Sequence, residues 1–135
     1  MSTVGPITFF NRTYDETLAL LIESRNYVAA EQAIDVMRSD ADAQSAMVQE
    51  TTRLVARLTQ MMAWLLVQKA VAAGEMSRDQ AKRGEHRLGG HAVCLDEGQA
   101  VRLPPESHLA KLLDRSRHLY IRVARLDEMH DRGAI

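Results

Sequence analysis

The sequence predicts an all-α chain: an antiparallel bundle of three main helices, with a long loop and room for a short extra helix before the last one. Three observations point there. Apolar residues recur three and four apart over long stretches, as Leu54, Leu58, Met61 and Leu65 do. Aromatic residues make up only 4% of the chain while Ala, Leu, Val and Met are plentiful, which favours helix packing over a sheet. The seven glycines and three prolines fall mostly outside the periodic stretches.

The central helix is expected over 45–73. Met47, Thr51, Leu54, Leu58, Met61, Leu65 and Ala72 line one stripe, which Val55, Met62 and Leu66 widen. Gly74 stands where a left-handed C-terminal cap belongs. The reverse face is polar from Gln49 through Arg53 and Arg57 to Gln60, then apolar at Trp64, Val67 and Val71. A helix that is apolar all round must be covered from more than one side. The run is too short for a membrane span, which needs ~20 apolar residues, and Gln68 and Lys69 interrupt it.

The first helix is expected over 14–38, after an arm (1–12) whose Phe9 and Phe10 dock on the bundle. Thr13 and Glu16 have the spacing of a capping box. Tyr14, Leu18, Leu21, Ile22, Val28 and Val36 share one face, and Leu20, Tyr27 and Ile34 the opposite one. Helices 1 and 2 therefore both look two-sided. A polar joint over 38–44 folds them antiparallel. Their reverse faces, around Leu20, Tyr27, Trp64 and Val71, are the expected contact of a symmetric homodimer. The alternative is that Trp64 is an ordinary core residue or a half-exposed aromatic.

Ser77 and Gln80 form a second capping box, opening a short polar helix over about 77–87. Residues 88–105 read as a long loop with a brief strand-like pair, 92–95 against 100–103. Pro104 and Pro105 announce the last helix, 106–130. Its core stripe is Leu109, Leu112, Ser116, Leu119, Val123 and Leu126, flanked by Leu113 and Tyr120. Beside it runs a basic stripe, Lys111, Arg115, His118, Arg122 and Arg125. Four of these, Lys111, Arg115, Arg122 and Arg125, are candidate contacts for an acidic protein partner. A solvated flank and a phosphate backbone are the other readings of the stripe.

At 135 residues the chain fits a single domain, 1–135. Seventeen basic residues against eighteen acidic ones give a net charge of −1, which offers no general pull toward nucleic acid or an anionic membrane. The single Cys94 excludes an intrachain disulfide and suits a reducing cytosol. The first twelve residues lack the pattern of a signal peptide, so the cytoplasm is the expected location.

No catalytic or cofactor-binding pattern stands out. His86, His91 and Cys94 are the nearest thing to a metal cluster, but their irregular spacing lacks the paired ligands of a structural zinc site. They read as solvated loop side chains, with no metal. Cys94 has no orienting group suited to nucleophilic catalysis, and Gly89-Gly90 lacks the context of a phosphate loop.

Two segments carry a family likeness. They are TRLVARLTQMMAWLLVQKAVAAGEMS (52–77) and RLPPESHLAKLLDRSRHLYIRVARLDE (102–128). The most specific pieces are RL-x5-WLL-x-Q-x-A-x3-GE-x-S, from Arg57 to Ser77, and LPP…S-x2-LY-x-RV-x-RLD, from Leu103 to Asp127. On these the chain resembles, from about Phe10 to Glu128, the alphaproteobacterial regulator of CtrA degradation family, otherwise catalogued as a domain of unknown function. The resemblance implies a small dimeric helical bundle without enzymatic activity. It also implies an adaptor that helps present cell-cycle proteins to a ClpXP-type protease alongside a response regulator. A small helical regulator associated with nucleic acid is the alternative, and nucleic acid is disfavoured by the charge balance.

Overall fold

The computed structural model describes residues 6–96, 98 and 102–133, with side chains from Phe10 onward. Six α-helices follow in order: α1 (Pro6–Ala30), α2 (Gln32–Met37), α3 (Ala41–Ala72), α4 (Arg78–Ala81), α5 (His91–Cys94) and α6 (His108–Asp131). A 3-10 turn, Gly84–His86, lies between α4 and α5. No strand occurs among the described residues, as expected of an all-α chain.

Several boundaries differ from the expected ones, each for a local reason. The first helix starts at Pro6, not near Tyr14, since proline fits the first helical position, where no N–H is needed. Thr13 consequently lies mid-helix, and no capping box with Glu16 exists there. The same helix breaks at Glu31, where α2 restarts after a short turn. Gln44 closes that segment by donating its side-chain amide to the carbonyls of Val36 (2.8 Å) and Ser39 (3.1 Å). The central helix begins earlier than expected because Asp40 caps it, accepting from Ala43 N at 2.8 Å.

Other signals hold as read. Gly74 takes φ +78, and the amide of Glu75 reaches back to Ala70 O at 2.9 Å. Ser77 and Gln80 form a reciprocal capping box, although the helix it opens is only one turn long. The last helix starts at His108, two residues later than expected, because Ser107 caps it, accepting from Ala110 N at 3.2 Å. The strand-like pair is not formed at 92–95, which is helical in α5 and its C-cap; its partner over 100–103 lies partly outside the described residues.

Side-chain pairs fix the directions of the long helices. Lys69 lies over the Tyr14 ring of α1, and Gln32 at the start of α2 bonds to Thr51, so the α1–α2 run is antiparallel to α3. Arg122 meets Glu16 and Arg115 meets Glu23, so α1 and α6 are antiparallel too. Arg57 meets Ser116 and Trp64 meets Asp127, so α3 and α6 run parallel. Parallel neighbours require a connection that travels back along the bundle, and residues 73–107 supply it.

The core settles which faces are inside. Leu109, Leu112, Leu113, Ser116, Leu119, Tyr120, Val123 and Leu126 of α6 are all buried, as the stripe implied. On α3, Met47, Leu54, Leu58, Met61 and Leu65 are buried, but Val55 and Leu66 stay exposed. On α1 the reading is inverted. Leu20 and Tyr27 are buried, whereas Leu21, Ile22 and Val28 are exposed.

Candidate functional site

Trp64 is fully enclosed by its own chain. Phe10 meets it edge-on at 5.6 Å, His130 does so at 6.5 Å, and its indole N–H donates to Asp127 Oδ1 at 2.8 Å. Leu20, Tyr27 and Trp64 are therefore not surface residues, and Val71 is half-buried. The premise that these faces need a second chain is overturned. Phe10 on the early turns of α1 covers Trp64, and α6 lies against Leu20 and Tyr27. Phe9 lies outside the described side chains.

The uncovered apolar surface is elsewhere. Leu21, Ser24, Arg25, Val28 and Ala29 of α1 face Leu54, Val55, Leu58 and Thr59 of α3 across an open groove of about 360 Å³. Leu21 is 36% exposed, Val28 43%, Val55 53% and Leu66 51%. Arg25 is the one charge among the described residues lining the groove. The buried Ser24 hydroxyl has no hydrogen-bond partner. Along α3 the exposed apolar residues extend from Val48 to Leu66, ~27 Å at 1.5 Å per residue. The exposed Thr52 and Thr59 lie between them on the same face of the helix.

The basic stripe of α6 is partly committed within the chain. Arg122 donates to both oxygens of Glu16 (2.8 and 3.2 Å), and Arg115 Nη1 reaches both of Glu23 (2.9 Å each). The bond to Arg122 holds the Glu16 carboxyl below its ordinary value, and the bonds to His108 and then Arg115 do the same for Glu23. His108 adds a third rung, with Nε2 at 2.9 Å from Glu23 and Nδ1 at 3.0 Å from Glu31. Acids at 16, 23 and 31 thus face bases at 122, 115 and 108. This near-heptad ladder is visible in the sequence once the two helices are aligned antiparallel. Lys111 and Arg125 are exposed, and no ion pair engages either among the described residues.

A third cluster holds the connector. Arg57, expected on a polar outer face, is buried. Its Nε donates to Cys94 O (2.6 Å), Nη2 to Asp96 O (3.0 Å), and Nη1 to Leu113 O (3.1 Å) and Ser116 Oγ (3.2 Å). Arg53 takes Val93 O and Arg117 takes Leu95 O. Three guanidiniums thereby occupy four consecutive carbonyls at the C-terminal end of α5, the groups a helix end leaves unsatisfied. Arg53 is itself held at 3.2 Å by the buried Glu50. Gln60 and Tyr120 grip Gly89, through its N–H at 3.2 Å and its carbonyl at 2.6 Å.

The three expected loop side chains separate here. Cys94 is buried rather than solvated, and burial pushes its thiol above the ordinary range. His91 stands edge-on to Tyr120, and His86 lies beside Glu85. Among the described residues no three His, Cys, Asp or Glu side chains are placed to hold a metal ion. No helix among them is long and apolar enough to cross a membrane.

The fold and its surfaces define a helical bundle with an interior polar network and an open apolar groove. The chain belongs to the family described as "Protein of unknown function (DUF1465)", which matches residues 6–134. It is similar to RcdA from Caulobacter crescentus CB15, whose crystal structure aligns with a TM-score of 0.72 and 32% identity, over 90% of this chain and 89% of that one. No curated protein is matched.

Proposed function

We propose that this protein is a non-enzymatic, dimeric regulatory adaptor of the cytoplasm that holds protein partners for regulated proteolysis. The similarity to RcdA over nine-tenths of both chains carries this reading. By the resemblance, its partners are a response regulator and a ClpXP-type protease. The chain acts as a single domain, 1–135, with no cofactor.

The dimer contact is assigned to the α1–α3 groove instead of Leu20, Tyr27 and Trp64. Leu21, Val28 and Val55 line the groove with Arg25 as its one charge, and Leu66 is exposed farther along the same face of α3; a second copy can meet this surface about a two-fold axis. The partner contact stays with α6, through Lys111 and Arg125. Arg115 and Arg122 contribute only by exchanging Glu23 and Glu16 for partner carboxylates.

Pull-down from the native cytoplasm tests the reading. Tagged wild-type chain should retain a protease unfoldase or a response regulator, and a Lys111→Glu/Arg125→Glu variant should retain less while keeping its helicity. Arg115 and Arg122 are unsuitable for this test, because glutamate there would face Glu23 and Glu16. Retention unchanged by the variant would remove the α6 contact. Absence of both partner types from the wild-type eluate would remove the adaptor reading.

A further inference from the structure

His108 sits where three elements meet. It is the first residue of α6, its Nε2 lies 2.9 Å from Glu23 on α1, and its Nδ1 lies 3.0 Å from Glu31, the residue at the break between α1 and α2. The Tyr27 ring stands edge-on to the imidazole at 5.2 Å, and the Tyr27 hydroxyl continues to Asp35 on α2 at 3.0 Å. Lys111, Asp114 and Arg115 of α6 border the same hollow together with Glu23 and Pro105.

Carboxylates accept hydrogen bonds and do not donate them, so two carboxylates on one imidazole require both ring nitrogens to carry protons. Only imidazolium meets that condition. We propose that His108 is a proton-operated clip that fastens the α1–α2 junction to the start of α6 while charged and releases Glu31 when neutral. Glu23 is the contact that stays. Arg115 fixes it beside Nε2 with two bonds of 2.9 Å, so the neutral ring keeps its proton on Nε2. The bare lone pair on Nδ1 then faces Glu31, which is half exposed and turns to water.

The local field favours the charged form. The bond to Glu23 raises the His108 pKa above its ordinary 6.5, burial opposes this, and Glu31 adds to the rise. The positive end of the α6 dipole and Arg115 act the other way, and the two bonded carboxylates outweigh them. The pKa is raised in the closed form, so the clip is at full strength below the ordinary value and is lost as pH rises through the closed-form pKa. The element it releases is small. α2 has no buried residue, and Met37 is 81% exposed.

The test uses the full chain, following the His108 ring by NMR and the amides of residues 31–37 by hydrogen exchange corrected for intrinsic base catalysis. The ring should titrate above 6.5. α2 protection should fall across the same interval, by about tenfold for each unit separating the closed and open pKa values. Glu31→Gln should lower the His108 pKa and flatten the pH dependence of α2. His108→Gln should leave α2 at low pH as open as the wild type becomes at high pH. A ring that titrates at or below its ordinary value overturns the clip. So does α2 protection that is flat through the titration, or a titration that Glu31→Gln leaves unmoved.

Discussion

The indole N–H of Trp64 donates to Asp127 Oδ1 at 2.8 Å, and the same buried carboxylate receives Arg87 Nε at 2.9 and 3.0 Å. One aspartate thus ties the C-terminal third of α3, the connector and the last turns of α6 together. Arg87 continues to Asp131 at 3.3 Å, and Asp127 raises the Arg87 pKa above its ordinary value.

Asp127→Ala should therefore destabilise the protein by about 2–3 kcal/mol, because a buried indole N–H loses its acceptor and Arg87 its partner. Urea unfolding checks this. A loss below ~0.5 kcal/mol would mean that the network adds nothing beyond packing. Trp64→Glu should abolish the fold outright, where a surface tryptophan would have given folded single chains.

Arg57→Met should cost about 3 kcal/mol or more, since the carbonyls of Cys94, Asp96 and Leu113 lose their shared donor. Hydrogen exchange in residues 91–96 should rise with it. Arg57→Lys should rescue only part, because one ammonium cannot reproduce the planar fork. Unchanged stability in the methionine variant would show that the connector is fastened by packing alone.

Gly98→Ala should lose stability by ~1 kcal/mol or more. Gly98 has φ +56, and an added Cβ would overlap the Arg53 guanidinium and the Glu50 carboxylate. Thermal unfolding reads the difference, and an unchanged midpoint would contradict it.

Much of the fold was legible because helical periodicity reports burial directly. The α6 stripe, the Gly74 cap and the Ser77 box all came from local chemistry. The face of α1 was misread because both of its faces are apolar. Leu21 and Val28 look as core-like as Leu20 and Tyr27, and only tertiary packing chooses between them. Arg57 and Asp127 were missed as interior residues because charge usually means surface. Yet Arg57, Trp64, Gln68, Ser116, Tyr120 and Asp127 all fall in the motifs that carry the family resemblance, and all six are buried. The same motifs also hold the exposed Leu66, Arg122 and Arg125, so they mix interior and surface positions that periodicity alone does not separate. Glu16 reads as a capping residue and Glu23 as an ordinary surface acid because their arginines lie about a hundred residues away in sequence.

The α1–α6 ladder should give the protein an acid-sensitive limb. The Glu16 and Glu23 carboxyls sit below their ordinary 4.5, Glu16 chiefly through its bond to Arg122 and Glu23 through its bonds to His108 and Arg115. A depressed folded pKa means stabilisation that is complete above the ordinary value and lost as pH falls through the folded one. Glu16→Gln/Glu23→Gln should flatten the fall in melting temperature between about pH 5 and pH 3. A double variant with the wild-type acid limb would show that these exposed pairs contribute nothing.

The mass of the protein in solution tests the dimer contact proposed for the α1–α3 groove. Sedimentation of the wild-type chain should give twice the chain mass at micromolar concentration. Val55→Glu and Leu21→Glu should give a single-chain mass with wild-type helicity, since both residues are exposed within one chain and a charge there harms only an apolar contact. A wild-type chain that sediments as a monomer, or a Val55→Glu variant that remains a dimer, would contradict the assignment.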